Sequence, residues 1–221
     1  TVTWRFGTPP VLATLLPGGI LRLNMGVDAG ARGSGYGSDG SENFTVSMNG
    51  STATVTALGY SETHTGVNAI IVNGTGVGND AVTVTGSNFS GPVTINGGDG
   101  DNVFVILGTG PVSLRSGQGR NTIVTGDASD TITVGNGNNE ITAGGGNDVI
   151  RVGSGNNTIN GGGGNDSIYL GPGNNVAYGE GPELDPAFTG NDTFYVTGGN
   201  NTLQGGFGAD TYIFSGAWGT T

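Results

Sequence analysis

The sequence contains no cysteine and no lysine, and only 10% of its 221 residues are charged. Without cysteine it has neither a disulfide framework nor a thiolate metal site, and thiol chemistry gives no indication of its redox compartment. Its basic residues are six arginines, set against 17 acidic residues, which gives a net charge of −11. This charge argues against a nucleic-acid partner and favours divalent cations as charged partners.

Long apolar runs and helix-forming segments are also lacking. No apolar run approaches the ~20 residues of a membrane span. The 48 glycines disfavour helices, because each interior glycine costs a helix roughly 1 kcal/mol relative to alanine. Glycine content alone would suggest disorder, but valine, isoleucine, threonine and tyrosine recur at short regular intervals. We therefore expect ordered β-structure in which the glycines hold fixed positions.

Catalytic motifs are lacking as well. His64 is the only histidine, and it stands in a Ser/Thr-rich stretch that we interpret as a solvated loop. The glycine-rich loops lack the lysine of a phosphate-binding loop. No pair of carboxylates outside the repeat resembles an acid/base couple, although Glu180, Glu183 and Asp185 could line a cleft. We expect no catalytic residues and no enzymatic activity.

The chain does contain an internal repeat with a glycine every nine residues between 117 and 179. Four residues after each of these glycines stands an asparagine or an aspartate, in strict alternation, so the full repeat has eighteen residues. Two residues further on lies an apolar column: Ile123, Ile132, Ile141, Ile150, Ile159 and Ile168. One eighteen-residue unit predicts one coil of a β-solenoid, in an all-β fold class.

The two strands of each coil are expected to differ. After an aspartate a second large apolar residue follows at period two, as in Ile132 and Val134, whereas after an asparagine the second position is small, as in Thr125 and Ala143. Period-two spacing places both side chains on one face of a strand. The sequence therefore predicts one sheet lined by paired large residues and another in which isoleucine alternates with a small residue.

The spacing lengthens once along the repeat. Asp166 and Asp192 are 26 residues apart, as are Asn175 and Asn201, which is eight more than one coil. A single insertion explains both. Residues 180–189 contain two prolines, which cannot continue a central strand, and three acidic residues. They are predicted to form a loop that protrudes from an otherwise unbroken stack.

The regions outside the repeat define the remaining domains. Residues 1–66 contain separate apolar stretches, and Asn49-Gly50 between two alternating stretches is a strong hairpin signal. We predict a small antiparallel β cap or assembly segment at 1–66. The solenoid is expected to span 67–214, and a C-terminal tail 215–221.

Two segments match the nonapeptide G-G-x-G-x-D-x-U-x, in which U is a large apolar residue. Residues 161–169 read GGGGNDSIY and residues 205–213 read GGFGADTYI. Over residues 74–214 the chain resembles the repeats-in-toxin family of calcium-binding β-rolls. The resemblance implies a right-handed parallel β-roll with two nonapeptides per turn, Ca²⁺ held by aspartates and loop carbonyls of neighbouring turns, and export from the cell.

The resemblance assigns the calcium role to alternate repeats only, at Asp130, Asp148, Asp166, Asp192 and Asp210. Asp80 matches this pattern less well. The opposite edge lacks the family's anionic ligand, because it carries Asn121, Asn139, Asn157, Asn175 and Asn201. One edge at most should therefore bind metal in the family's manner.

The spacing of the coils supports this division. Coils that stack ~4.8 Å apart would place aspartates of one edge in a column, where neighbours repel by ~1 kcal/mol in water and by ~3 to 4 kcal/mol at an effective dielectric near 20. A Ca²⁺ ion between coils would replace repulsion with attraction, whereas stacked asparagine amides can hydrogen-bond along their column. The alternative is that both residue types serve only as turn formers, against which stands the strict segregation of charge.

Three function classes remain open: a structural or self-assembling extracellular protein, an exported repeat module that aids secretion and calcium-triggered folding of a larger protein, and an adhesin segment. We favour the first, because the sequence shows no catalytic or pore-forming part. The absence of an initiator methionine fits a processed or excised exported chain, extracellular or at the cell surface. Such a chain could carry glycans at its Asn-x-Ser/Thr sites, which are Asn43, Asn49, Asn73, Asn88, Asn156, Asn165, Asn191 and Asn200.

The solenoid ends predict a homopolymer. Open terminal strands invite another chain unless charges, prolines or helices cover them. The last coil carries Tyr212, Ile213 and Phe214, followed by an uncharged tail with Trp218. We expect this end to pair with a neighbour's N-terminal strand, Val2–Phe6; the alternative is that both ends were cut from a longer chain.

Overall fold

A computed structural model of the chain describes residues 8–32, 40–74, 76–181 and 188–215. Within these residues the chain forms twenty β-strands and one short 3-10 helix, Gly26–Arg32. The predictions for Val2–Phe6, for the tail with Trp218 and for most of the inserted segment lie outside the described residues.

The strands build two sheets of ten strands each. Sheet 1 contains, in spatial order, β1 (Ala13–Leu16), β2 (Ile20–Leu23), β6 (Ala69–Asn73), β8 (Val93–Asn96), β10 (Val112–Ser116), β12 (Thr131–Val134), β14 (Val149–Arg151), β16 (Ser167–Leu170), β18 (Thr193–Val196) and β20 (Thr211–Phe214). Sheet 2 contains β5 (Tyr60–Thr65), β4 (Thr52–Ala57), β3 (Asn43–Asn49), β7 (Ala81–Ser87), β9 (Val103–Ile106), β11 (Thr122–Val124), β13 (Glu140–Thr142), β15 (Thr158–Asn160), β17 (Val176–Tyr178) and β19 (Thr202–Gln204).

From β6 onward, successive strands along the chain lie alternately in the two sheets. Each strand pairs in parallel with its neighbours in its own sheet. In the regular part, Ile132 pairs with Ile150 and Ile150 with Ile168, so one coil is eighteen residues. Across the insertion, Ile168 pairs with Phe194, 26 residues later, and the stack continues. The predicted fold class, an all-β parallel solenoid, is confirmed.

The interior follows the predicted columns. Ile123, Ile141 and Ile159 on sheet 2 are fully buried and face the paired residues of sheet 1, such as Ile132 with Val134. Burial of one such side chain contributes about 1.5–3 kcal/mol. The second inward position of the sheet 2 strands holds a small residue, as expected. A larger side chain there would collide with the neighbouring aspartates, as described below.

The N-terminal part combines antiparallel and parallel pairing. Strands β1 and β2 form one hairpin, and β3, β4 and β5 form an antiparallel meander whose first turn has Gly50 at φ +57°. The predicted antiparallel strands are therefore present. However, β2 and β3 already pair in parallel with β6 and β7. The domain boundary at residue 66 stays a prediction.

The two ends of the stack differ in exposure. At the N-terminal end Leu12 and Met25 are fully buried and close the core. At the C-terminal end Tyr212 is 40% exposed, although the residue below it in the same column, Phe194, is fully buried. An open depression at this end also includes Leu203. The described part of the chain thus leaves the last coil uncovered by a further strand.

Candidate metal centre

The five predicted aspartates form one column along one edge of the solenoid, each directly before a strand of sheet 1. In each, Oδ1 accepts a hydrogen bond from a backbone N–H one coil earlier. Asp166 accepts from Asp148 at 2.8 Å, and Asp192 accepts from Asp166 at 2.8 Å across the insertion. Oδ1 of Asp130, of Asp148 and of Asp210 accepts the equivalent hydrogen bond. We call this column the aspartate edge.

In four of the five aspartates, the second carboxylate oxygen lacks a partner among the described residues. Asp130, Asp148, Asp166 and Asp192 are at most 1% exposed, and the Oδ2 atom of each is buried without a hydrogen bond among the described residues. A buried carboxylate oxygen without a partner is costly. A cation beside these atoms would supply the missing interaction, so the residues present fit a metal.

The small positions of sheet 2 make room for these oxygens. A Cβ atom on Gly161 would collide with Oδ2 of Asp166, and one on Gly179 would collide with Oδ2 of Asp192 and with the carbonyl oxygen of Gly205. Carboxylate and carbonyl oxygens of neighbouring coils therefore converge at the strand ends. Hard oxygen donors of this kind suit Ca²⁺ better than Zn²⁺.

Side chains alone do not complete a site. Within the described ranges no three histidine or acidic side chains lie close enough together to hold a metal. Ca²⁺ takes six to eight oxygen ligands in proteins, and backbone carbonyls commonly supply several of them. A calcium ion on the aspartate edge would therefore depend on the carbonyls of the glycine-rich turns as well as on the aspartates.

The environment of the edge opposes ionisation in the absence of a cation. Burial raises the pKa of Asp130 and of Asp192 to about 6. Burial, with the charge of Asp130 added, raises the pKa of Asp148 to about 7. Burial, with the charges of Asp148 and Asp192 added, raises the pKa of Asp166 to about 8. Because the folded state holds these protons more tightly than the unfolded chain, calcium-free stability falls as the pH rises from about 4 through about 8.

The opposite edge forms the expected amide ladder. Nδ2 of Asn121 donates to Oδ1 of Asn139 at 2.9 Å, and Asn139 donates to Asn157 in the same way at 2.9 Å. The ladder continues through Asn175 to Asn201 at 2.8 Å per step. Each acceptor oxygen also accepts a hydrogen bond from the backbone N–H of the residue one coil earlier, as Oδ1 of Asn139 does from Asn121 at 3.0 Å. From Asn121 to Asn201, the prediction of an uncharged, hydrogen-bonded edge is confirmed.

Segregation of charge between the edges breaks down near the N-terminus, where our expectation was wrong. Asp80 precedes β7 of sheet 2 and so belongs to the asparagine edge. Its backbone N–H donates to Oδ1 of Asn102 at 2.8 Å, and its own Oδ1 accepts from the backbone of Glu42 at 3.1 Å. Burial, with the charge of Glu42 added, raises the pKa of Asp80 to about 6. Asp80 does not extend the aspartate edge.

Two further features escaped the sequence analysis. His64 lies in strand β5 rather than in a loop, and its Nε2 is 3.0 Å from Oε1 of Glu62. The turns also carry an exposed polar ladder, in which Asn165 accepts the backbone N–H of Asn191 at 2.7 Å. A polar residue directly before every edge residue except Asp210, as in Asn165-Asp166, is the sequence signal for this second ladder.

A parallel β-solenoid with glycine-rich turns and a column of buried aspartates defines a calcium-binding β-roll. The family model of the RTX calcium-binding nonapeptide repeat matches four segments of the chain, at 90–105, 115–150, 142–177 and 187–216. The chain belongs to this family, whose repeats bind calcium and occur in secreted proteins. Comparisons with curated proteins and with solved structures give no match. Among the described residues no helix could cross a membrane.

Proposed function

We propose that this chain is a structural part of an extracellular or cell-surface assembly, stabilised by Ca²⁺ at Asp130, Asp148, Asp166, Asp192 and Asp210. The calcium assignment rests on the buried Oδ2 atoms of four of these residues, all but Asp210, which have no hydrogen-bond partner among the described residues. With calcium bound, the ion supplies positive charge between coils. The aspartates and the turn carbonyls would hold the ion, and the Oδ1 hydrogen bonds keep each carboxylate oriented.

Assembly is supported by the difference between the two ends. The last coil exposes Tyr212 and Ile213 to 40% each, and in the described part no strand pairs with the outer edge of β19 or β20. The first coil is closed over its core. A second copy of the chain that docks its N-terminal end on this surface would continue the stack. Such a contact joins two different surfaces and therefore propagates into a fibre or layer.

A charged side chain in the last coil should block this contact. Tyr212→Lys places a charge on the open end, a common way to protect strand edges. Thr131→Lys adds the same charge on the exposed outer side of β12 and serves as the control. We expect the wild type and Thr131→Lys to form polymers in sedimentation velocity at high concentration with calcium. Tyr212→Lys, and a variant without residues 1–6, should stay folded and monomeric. A monomeric wild type would contradict self-assembly.

The second candidate function is an exported repeat module or adhesin segment of a larger secreted protein, which aids secretion and folds when it meets calcium. The raised pKa values of the aspartate edge favour it, because burial of these carboxylates disfavours the stack near neutral pH until a cation binds. A monomeric wild type whose circular dichroism shows β-structure only with calcium would favour this function over assembly.

A further inference from the structure

The turn before Asp192 differs from the other turns of the aspartate edge, because the inserted residues begin there. Without residues 181–188, it would read Gly-Glu-Thr-Gly-Asn-Asp, which aligns with Gly-Gly-Gly-Gly-Asn-Asp at 161–166. Glu180 therefore stands where the regular turn has Gly162. An acidic side chain has replaced a glycine at the edge that carries the calcium role.

The insertion explains why a side chain is possible at this position. In the uninterrupted turns the equivalent residues, Gly144, Gly162 and Gly206, have φ values of +96°, +108° and +101°. Residues that carry a side chain rarely adopt positive φ values of this kind. Glu180 is not among the described non-glycine residues with positive φ, whereas the next residue, Gly181, has φ +119°. The left-handed conformation has moved by one residue, so Glu180 carries no such strain.

The carboxylate of Glu180 is buried between two turns. The residue is only 4% exposed, and its Oε2 accepts the backbone N–H of Phe207 at 3.1 Å, in the turn that leads to Asp210. Its Oε1 is buried without a hydrogen-bond partner among the described residues, as is Oδ2 of Asp192. Oδ2 of Asp192 in turn lies against Gly179, the residue directly before Glu180. Two buried carboxylate oxygens without partners thus belong to one turn interface.

Electrostatic interactions also link these residues. Burial is the main cause of the raised pKa of Glu180, and the charge of Asp210 adds to it. Burial likewise dominates at Asp192, where the charge of Glu180 contributes. The charges of residues 180, 192 and 210 therefore act on one another, although the three side chains do not lie close enough together to hold a metal by themselves. A cation at this interface would relieve the repulsion and would also need carbonyl oxygens of the turns as ligands.

We propose that Glu180 is an additional calcium ligand at the interface between the turns of Asp192 and Asp210, and that this interface is the tightest calcium site of the edge. Two regular turns, such as those of Asp148 and Asp166, contribute two carboxylates to their interface, whereas the turns of Asp192 and Asp210 contribute three, counting Glu180. More ligand charge is one way in which calcium sites gain affinity. The inference rests on the proposed calcium role of the aspartate edge and goes beyond it, because the nonapeptide pattern has glycine at this position.

Glu180→Gln tests the proposal, because glutamine keeps the shape and the acceptor for Phe207 and removes only the charge. We expect the calcium-free variant to melt at a higher temperature than the calcium-free wild type, and calcium to raise its melting temperature less. In calorimetric titration with calcium, the tightest class of sites should weaken at least tenfold while the weaker sites are unchanged. Glu140→Gln, on the exposed side of β13, removes the same charge as a matched control and should change neither measurement.

A purely structural role for Glu180 would shift both melting temperatures in the same direction and leave the titration unchanged, which would overturn the proposal while calcium binding by the edge stands. A wild type that binds no calcium would overturn both. If Glu180→Gln does not fold, Glu180→Asp keeps the charge on a shorter side chain. The tight site should then be weaker than in the wild type, and unchanged affinity would contradict the proposal.

Discussion

Asp166→Asn is expected to weaken calcium stabilisation and, in the absence of calcium, to stabilise the stack. Asp166 lies in the middle of the aspartate edge and is 1% exposed, and its Oδ2 has no hydrogen-bond partner among the described residues. With calcium present, loss of a buried carboxylate ligand should lower the free energy of unfolding by on the order of 2–5 kcal/mol. Without calcium, loss of a buried charge should raise it. Urea unfolding with calcium and with chelator measures both effects.

Asn157→Ala is the matched comparison on the opposite edge. It removes one amide from the ladder and leaves Oδ1 of Asn175 without its side-chain donor. We expect the free energy of unfolding to fall by about 1–3 kcal/mol, equally with calcium and with chelator. Equal calcium sensitivity in Asp166→Asn and Asn157→Ala would contradict the different roles of the two edges.

Gly162→Ala is expected to prevent the turns of the aspartate edge from stacking. A Cβ atom at this position would overlap the carbonyl oxygen of Gly144 in the preceding coil, and the residue has φ +108°. Backbone strain and a clash with backbone together should cost on the order of 3 kcal/mol or more. Gly198→Ala is the control, because nothing lies within 4 Å of its Cβ position and its φ is not positive. Thermal unfolding with calcium present should separate the two variants, and equal melting temperatures would contradict this packing.

The repeat was predictable because each coil contacts only its neighbours. The same side chain recurs at the same position every eighteen residues, so the spacing of Ile132, Ile150 and Ile168 in the sequence fixes their pairing in the sheet. The amide ladder follows for the same reason. The five aspartates also meet on one edge as predicted, whereas their role as calcium ligands stays a prediction.

The exceptions arose where the eighteen-residue spacing fails. Asp80 lies 22 residues before its ladder partner Asn102, so its edge could not be assigned by counting. In the N-terminal part the meander of β3 to β5, which belongs to sheet 2, separates β2 from β6 along the chain, and this separation concealed their parallel pairing. The position of Glu180 depends on a local change of backbone conformation at the insertion, and side-chain pattern alone does not reveal such a change.

Melting curves of the wild type with excess calcium and with chelator, at pH 8 and at pH 5, test most directly whether the aspartate edge binds calcium. The folded protein holds the pKa values of Asp130, Asp148, Asp166 and Asp192 at about 6 to 8, against an ordinary value of 3.8. At pH 5 these carboxylates are mostly protonated in the folded state. At pH 8 Asp166 is about half ionised and the other three are largely ionised, so that they repel one another without a cation. We expect calcium to raise the melting temperature strongly at pH 8 and only slightly at pH 5. Superimposed curves with calcium and with chelator at pH 8 would contradict calcium binding by this edge.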